Sequence, residues 1–354
     1  CCPQSTSSYS RLAPIWGKSH PFPLMPSRRK PEADRFKGPS KWCQYILARG
    51  FVTVLQCLPI CFSFRFGRGV GWLLWKTLKK RREVVRRNLE VVNACLAKTG
   101  VNVGTCECVN VGNSGSSELS AISDSACTID DQVREVFQRA GANLFAGFSF
   151  SKLSVEQMES HLTVEGMQHL AEALEVGKGA IVLLAHMGPW EVLNKLPYFI
   201  ARQGISAPLA SLFRPLNNTY LDDMIRQQRE SLGTRLFSRR DGFHKPVDHL
   251  RSGGVLGILA DQKMREGPRA PYFGVEVPSS PIPGLMHRRS GAPMVAVSLE
   301  TVGSAQWKLI VRPVTVPAET DIANRQQMAT VTNQALQLSV SKSPLDGFWL
   351  HKRF

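Results

Sequence analysis

Residues 180–191 read AIVLLAHMGPWE, six apolar residues running without a break into a histidine, a glycine and a proline. A short continuous apolar run suits a strand buried on both faces of a parallel sheet. Pro189 suits the first turn of a following helix. His186 thereby falls at the carboxyl end of a buried strand, where open α/β sheets place their ligands. Glu191 follows at the start of the helix. Across a strand-to-helix turn the chain can fold back so that Glu191 reaches Nδ1 of His186, leaving Nε2 to take a proton from a bound hydroxyl. Spacing alone leaves an equally good reading open, a hydrogen-bonded loop histidine beside a carboxylate at a helix N-terminus.

Outward from this stretch, strands and helices alternate. Helices are predicted through EVFQRAGANLFAGF and through VEGMQHLAEALEVG up to Gly177, ahead of the 180–185 strand. A helix over about 189–203, a strand near APLASLF, a helix over 218–232 and the strand GVLGILA (254–260) follow. Strands at 293–299 and 307–314 lead into a last helix over about 321–341. Such alternation predicts an α/β domain over 130–354, a mixed but largely parallel sheet covered by helices.

The N-terminal part has another character. Residues 1–90 hold 18 of the 44 basic and 4 of the 28 acidic side chains, a balance of +14 that leaves +2 of the total +16 for the rest of the 354-residue chain. A basic terminal segment mixed with apolar residues is what an anionic membrane surface attracts, and it argues against a nucleic-acid partner. Residues 1–40 read as a disordered basic, Pro- and Ser-rich tail, and 41–96 as an apolar anchor followed by the basic helix KTLKKRREVVRRNLEVV. Residues 97–129 read as a flexible Gly/Ser insertion. The uncharged stretch 51–64 is 14 residues long and holds Pro59. That is short of the roughly 20 residues needed to cross a bilayer, so the segment is a marginal span or an interfacial anchor, with a buried core helix as the bland alternative. All nine cysteines lie at or before Cys127, without a Cys-x-x-Cys pair. This supports neither a zinc site nor a secreted disulfide framework, and points to a reducing compartment. His244, His249, His287 and His351 lack metal-ligand spacing, and no metal is assigned.

The stretch LLAHMGPWEVL, preceded by VEGMQHLAEALEVGKGAIV, resembles the core motif of the late acyltransferases of lipid A biosynthesis, the lauroyl/myristoyl transferases of the lysophospholipid acyltransferase superfamily. RREVVRRNL, FRPLNNTYLDDMIRQQRESLG, ILADQ, PYFGVEVPSS, RSGAPMVAV and the closing FWLHKRF match in the same order. The resemblance covers roughly 44–96 and 130–354, and departs from the family at Pro189, where Asn is usual. It implies a glycerol-phosphate-acyltransferase-like fold with an N-terminal membrane anchor. Carried over by position, it implies His186 as general base and Glu191 as its partner. Arg214, Asn217 and Asn218 become a second block of substrate contacts, and Asp261 and Gln262 a third. It also implies an inner-membrane enzyme facing the cytoplasm that takes its acyl chain from a thioester.

Without a metal or other cofactor, the expected reaction moves a fatty acyl group from acyl carrier protein, or coenzyme A, to a hydroxyl of a membrane lipid A precursor. The oxyanion would be met by backbone N–H groups near Gly188 or by Arg214. Arg239, Arg240 and Lys245, expected in a loop after a strand beside that of His186, are candidates for docking an acidic carrier; solvated surface is the default for such residues. Tyr272 and Phe273 would line an acyl slot or simply pack in the core. The rivals are an acyltransferase for another glycolipid or phospholipid and a catalytically silent lipid-binding relative. An α/β-hydrolase would need Gly-x-Ser-x-Gly, which the chain lacks.

Overall fold

The computed structural model describes residues 37–98, 128–238 and 242–354. The tail, nearly all of the Gly/Ser segment, and Arg239 and Arg240 lie outside the described residues. The chain opens with α1 (Pro39–Cys57), α2 (Ile60–Thr77), α3 (Lys79–Lys98), α4 (Ile129–Phe150) and α5 (Val155–His161). Then come β1 (Leu162–Glu165), α6 (Gln168–Glu175), β2 (Ala180–Leu184), a 3₁₀ turn at Trp190–Lys195, α7 (Leu196–Arg202), β3 (Leu209–Phe213) and α8 (Thr219–Glu230). The remainder is β4 (Arg235–Ser238), α9 (His244–Arg251), β5 (Val255–Leu259), β6 (Arg269–Tyr272), β7 (Val275–Pro278), α10 (Ile282–Ser290), β8 (Met294–Gly303), β9 (Gln306–Val314) and α11 (Arg325–Ser341).

Seven strands form one sheet in the order β1-β9-β8-β2-β5-β3-β4, parallel throughout except for the β8–β9 pair, and β6 and β7 form a separate hairpin. The apolar run of β2 is buried at every position because its two faces feed two cores. Ile181 and Leu183 pack with Leu89 of α3, Leu250 of α9, Met286 of α10 and Leu336 of α11. Ala180, Val182 and Leu184 pack with Phe64 of α2, Ala146 of α4, Leu170 of α6 and Phe199 of α7. Continuous apolarity, rather than alternation, is what a strand sandwiched between helices requires.

Pro59 divides the apolar N-terminal segment into α1 and α2, and no helix among the described residues is long and apolar enough to cross a membrane. α2 is packed into the domain. An ideal Cβ at Gly67 would lie 2.5 Å from the carbonyl oxygen of Gly141 on α4, so these helices meet backbone to backbone. The basic helix α3 likewise buries Val85, Asn88, Leu89, Val92 and Leu96. Asn88 donates to the carbonyls of Trp349 and His351, tying α3 to the C-terminal segment. Outward, Leu47, Phe51 and Val54 of α1 and Phe62, Phe66 and Leu73 of α2 are exposed. Phe51 and Phe66 both contact the ring of Phe145, joining α1, α2 and α4 into one apolar surface.

Candidate active site

The register of β2 on β5 pairs Leu184 with Leu259, and the Ala260 N–H continues the ladder to the Leu184 carbonyl. Two residues beyond each strand end stand His186 and Asp261. The carboxylate takes both hydrogen-bonding groups of the histidine that face it: Nδ1–H donates to Oδ1 at 2.6 Å and the backbone N–H to Oδ2 at 2.9 Å. Burial by itself would raise the pKa of Asp261. The positive charge of His186 and these hydrogen bonds outweigh it and hold the carboxyl below the usual range. No described residue engages Nε2, and the ring retains part of its solvent exposure.

Glu191 does not occupy the place that the spacing suggested. Pro189 leads into the 3₁₀ turn rather than an α-helix, and the turn carries Glu191 toward α8, where Oε1 accepts from Arg229 Nη2 at 2.6 Å. The neighbouring strand end supplies the nearer carboxylate to Nδ1. Arg229 was missed in the sequence; nothing in RQQRE distinguishes it from its basic neighbours.

Gly188 is also assigned differently. Its φ of 57° belongs to the left-handed region, and a Cβ there would lie 2.2 Å from the Leu299 carbonyl oxygen. Its N–H donates to the Asp346 carbonyl at 3.1 Å, so this donor is already used. The C-terminal segment lies along the histidine loop: Phe348 N–H donates to the His186 carbonyl, and Trp190 stands edge-on between His186 and Phe348. Beneath it the Asp346 carboxylate accepts from Thr301 N–H at 2.7 Å, Thr301 Oγ1 at 2.6 Å and Arg139 at 3.4 Å. Arg139 in turn meets Glu135, which is paired with Arg68. His351 is a further group that spacing did not reveal. Burial holds its imidazole below the ordinary histidine range against the opposing charge of Asp261.

Because β3 and β5 run parallel, Arg214 lies just past the same sheet edge as His186 and Asp261, and it is exposed there, as are Asn217 and Gln262. Asn218 is buried and caps α8, accepting from the Tyr220 and Leu221 N–H groups while donating to the Lys41 carbonyl. Lys245 is exposed on α9. The strand before Arg239 and Arg240, β4, is the sheet's edge, separated from β2 by β3 and β5, and so does not adjoin the His186 strand. Tyr272 and Phe273 are fully buried, in aromatic contact with Phe354 and Trp349, as core residues.

A histidine oriented by a carboxylate at the carboxyl edge of a parallel sheet, its second nitrogen engaged by no described residue, is the geometry that general-base chemistry requires. Comparison with known proteins makes the class specific: the profile of the bacterial lipid A biosynthesis acyltransferases matches residues 126–354, and the chain belongs to that family. It is 22% identical over 299 residues to the lipid A biosynthesis palmitoleoyltransferase of Escherichia coli K12, covering 83% of this chain and 84% of that one. With the lipid A biosynthesis lauroyltransferase of the same organism it shares 23% over 323 residues, 89% and 92% of the two chains. A phosphatidylinositol mannoside acyltransferase of Mycobacterium tuberculosis is 28% identical over 118 residues, 31% of this chain and 35% of its own. The protein is therefore an acyltransferase, with a lipid acceptor and an acyl donor.

Proposed function

We propose that the protein transfers a fatty acyl group from a carrier thioester to a hydroxyl of a lipid A precursor, with His186 as general base. The observation that carries this reading is the double grip of Asp261 on His186, which fixes the tautomer with the proton on Nδ1 and leaves Nε2 as acceptor. His186 Nε2 takes the proton of the acceptor hydroxyl as its oxygen attacks the thioester carbonyl. The C–S bond then breaks, and the thiolate takes the proton back from the imidazolium. Asp261 stabilises the imidazolium between these steps. Arg214 is the remaining candidate from the sequence for the oxyanion, and the Glu191–Arg229 pair shapes the acceptor side of the site.

The carrier is proposed to be acyl carrier protein, with Arg239, Arg240 and Lys245 as docking cations. The location is proposed to be the inner membrane, with the site on the cytoplasmic side. The exposed apolar surface of α1, α2 and α4 supports the membrane attachment. The test is turnover of His186→Ala, with mass spectrometry of lipid extracts from a deletion strain and its complement. Turnover should fall on the order of 10²–10⁴-fold in a folded variant, and the extracts should differ by one acyl increment. Near-normal transfer by His186→Ala would remove the base.

A further inference from the structure

On the α1 side of the Glu191 turn lies a half-open cleft of about 290 Å³, walled by α1, the end of α4, the 3₁₀ turn and α8. Arg49, Lys152 and Lys195 line it together with Gln56, Gln227 and Gln228, and among the described residues its lining holds no carboxylate. Among the described residues, no ion pair or hydrogen bond engages the three cationic heads. Glu191, on the same turn as Lys195, is held by Arg229. Burial, and after it the charge of Lys152, push the pKa of Lys195 below the ordinary lysine range.

Three cations from three separate elements, Arg49 and Lys152 exposed and Lys195 half-buried, thus line one space, and the charge of Lys152 is felt at Lys195. The carbonyl end of α4 accounts for a cation at Lys152, but not for Lys195 on another element. An anion with more than one charge would relieve the repulsion, and the glutamine side chains offer it neutral donors. We propose that this cleft binds a phosphoryl group borne by a substrate. The assignment rests on the acyl-transfer reading for which substrates are meant, not for the existence of the site. Lys195 shares its turn with Glu191, and Gln228 adjoins Arg229, so a group held here sits beside the acceptor side of the reaction centre. The other face of α1 carries the exposed Leu47, Phe51 and Val54, which sets the cleft next to the surface assigned to the membrane. A phosphate on the acceptor lipid and the phosphate in the arm of a carrier or coenzyme A donor share this chemistry.

The test measures binding of dihexanoyl phosphatidic acid, a soluble phosphomonoester, to the purified full chain, with dihexanoyl phosphatidylcholine as reference. Lys152→Gln/Lys195→Gln should weaken phosphatidic acid binding about tenfold or more and leave phosphatidylcholine unchanged; Arg49→Gln should act in the same direction. Lys79→Gln/Lys80→Gln, which removes the same charge from exposed positions on α3, should leave both unchanged. Kinetics then identify the source: a raised KM for the acceptor alone assigns the phosphate to the lipid, and a raised KM for the donor alone assigns it to the carrier arm. Equal binding of the two lipids by the wild type, or phosphatidic acid binding by a folded Lys152→Gln/Lys195→Gln variant at the wild-type level, would overturn the site. Because binding needs no turnover, repeating it in His186→Ala separates failure of this inference from failure of the base assignment.

Discussion

Asp261 holds His186 at two points, its Oδ1 on the ring and its Oδ2 on the backbone N–H, across the junction of two adjacent parallel strands. The ring can therefore neither rotate nor shift its proton to Nε2 without breaking a charge-assisted hydrogen bond.

From this follows an order of effects. Asp261→Asn should lower kcat on the order of 10²–10⁴-fold, because an amide can present its NH₂ to Nδ1 and favour the wrong tautomer. Glu191→Gln, whose carboxylate is held by Arg229 rather than by His186, should cost less in kcat, while stability falls by about 1–3 kcal/mol as Arg229 loses its counter-charge. Single-turnover rates and thermal melts of the two variants check this; a larger kcat loss for Glu191→Gln would exchange their roles.

Asp346 lies below the histidine loop, its side chain fully buried and paired with Arg139. Asp346→Ala should destabilise by about 3–5 kcal/mol, since it leaves a buried guanidinium with one partner fewer and frees the Thr301 donors. Urea unfolding should show the shift in midpoint, with Asp346→Asn falling between it and wild type.

Glu135 is buried. Burial favours its neutral form, but Arg68 and Arg139 prevail and keep its carboxyl below the ordinary value of 4.5. A depressed folded-state pKa means that the unfolded chain binds the proton more readily. The stabilisation is thus complete above about pH 5 and is lost as pH falls through the folded value. Melting temperature followed from pH 7 downward should fall more steeply for wild type than for Glu135→Gln below pH 5, with the curves parallel above it.

At the α2–α4 crossing there is no room for a methyl group. Gly67→Ala should cost about 1–3 kcal/mol by forcing the helices apart, whereas Gly69→Ala, whose Cβ would meet nothing within 4 Å, should be neutral or slightly stabilising. Denaturant midpoints of the pair give the comparison.

The apolar surface of α1 and α2 should govern membrane attachment. Changing Phe51, Phe62 and Phe66 together to Ser should move the protein out of the membrane fraction, with loss of about tenfold or more in partitioning. Turnover on detergent-dispersed substrate should stay unchanged. Full retention on membranes would shift the attachment to other residues.

Much of the architecture was legible because the pattern was local. The apolar run 180–185 suited a strand covered on both faces, and the alternation after it announced an α/β sheet. Pro59 stood out as an interruption of the apolar stretch, though its division into two helices came from the structure, and His186 could be placed at a strand end by counting. Short strands such as β1 and β6, four residues each, carry too little pattern to be read. What decides the candidate site is strand order. That β5, 75 residues further on, lies beside β2 in a register bringing Asp261 level with His186 follows from how two cores close around the sheet. No spacing within HMGPWE contains it. The same closure turns Glu191 to Arg229 and gathers Arg49, Lys152 and Lys195 from three elements into one cleft. Local sequence fixes which backbone conformations are favourable; which charges become neighbours is set by tertiary packing, because their interaction depends on distance through space and on the water excluded between them.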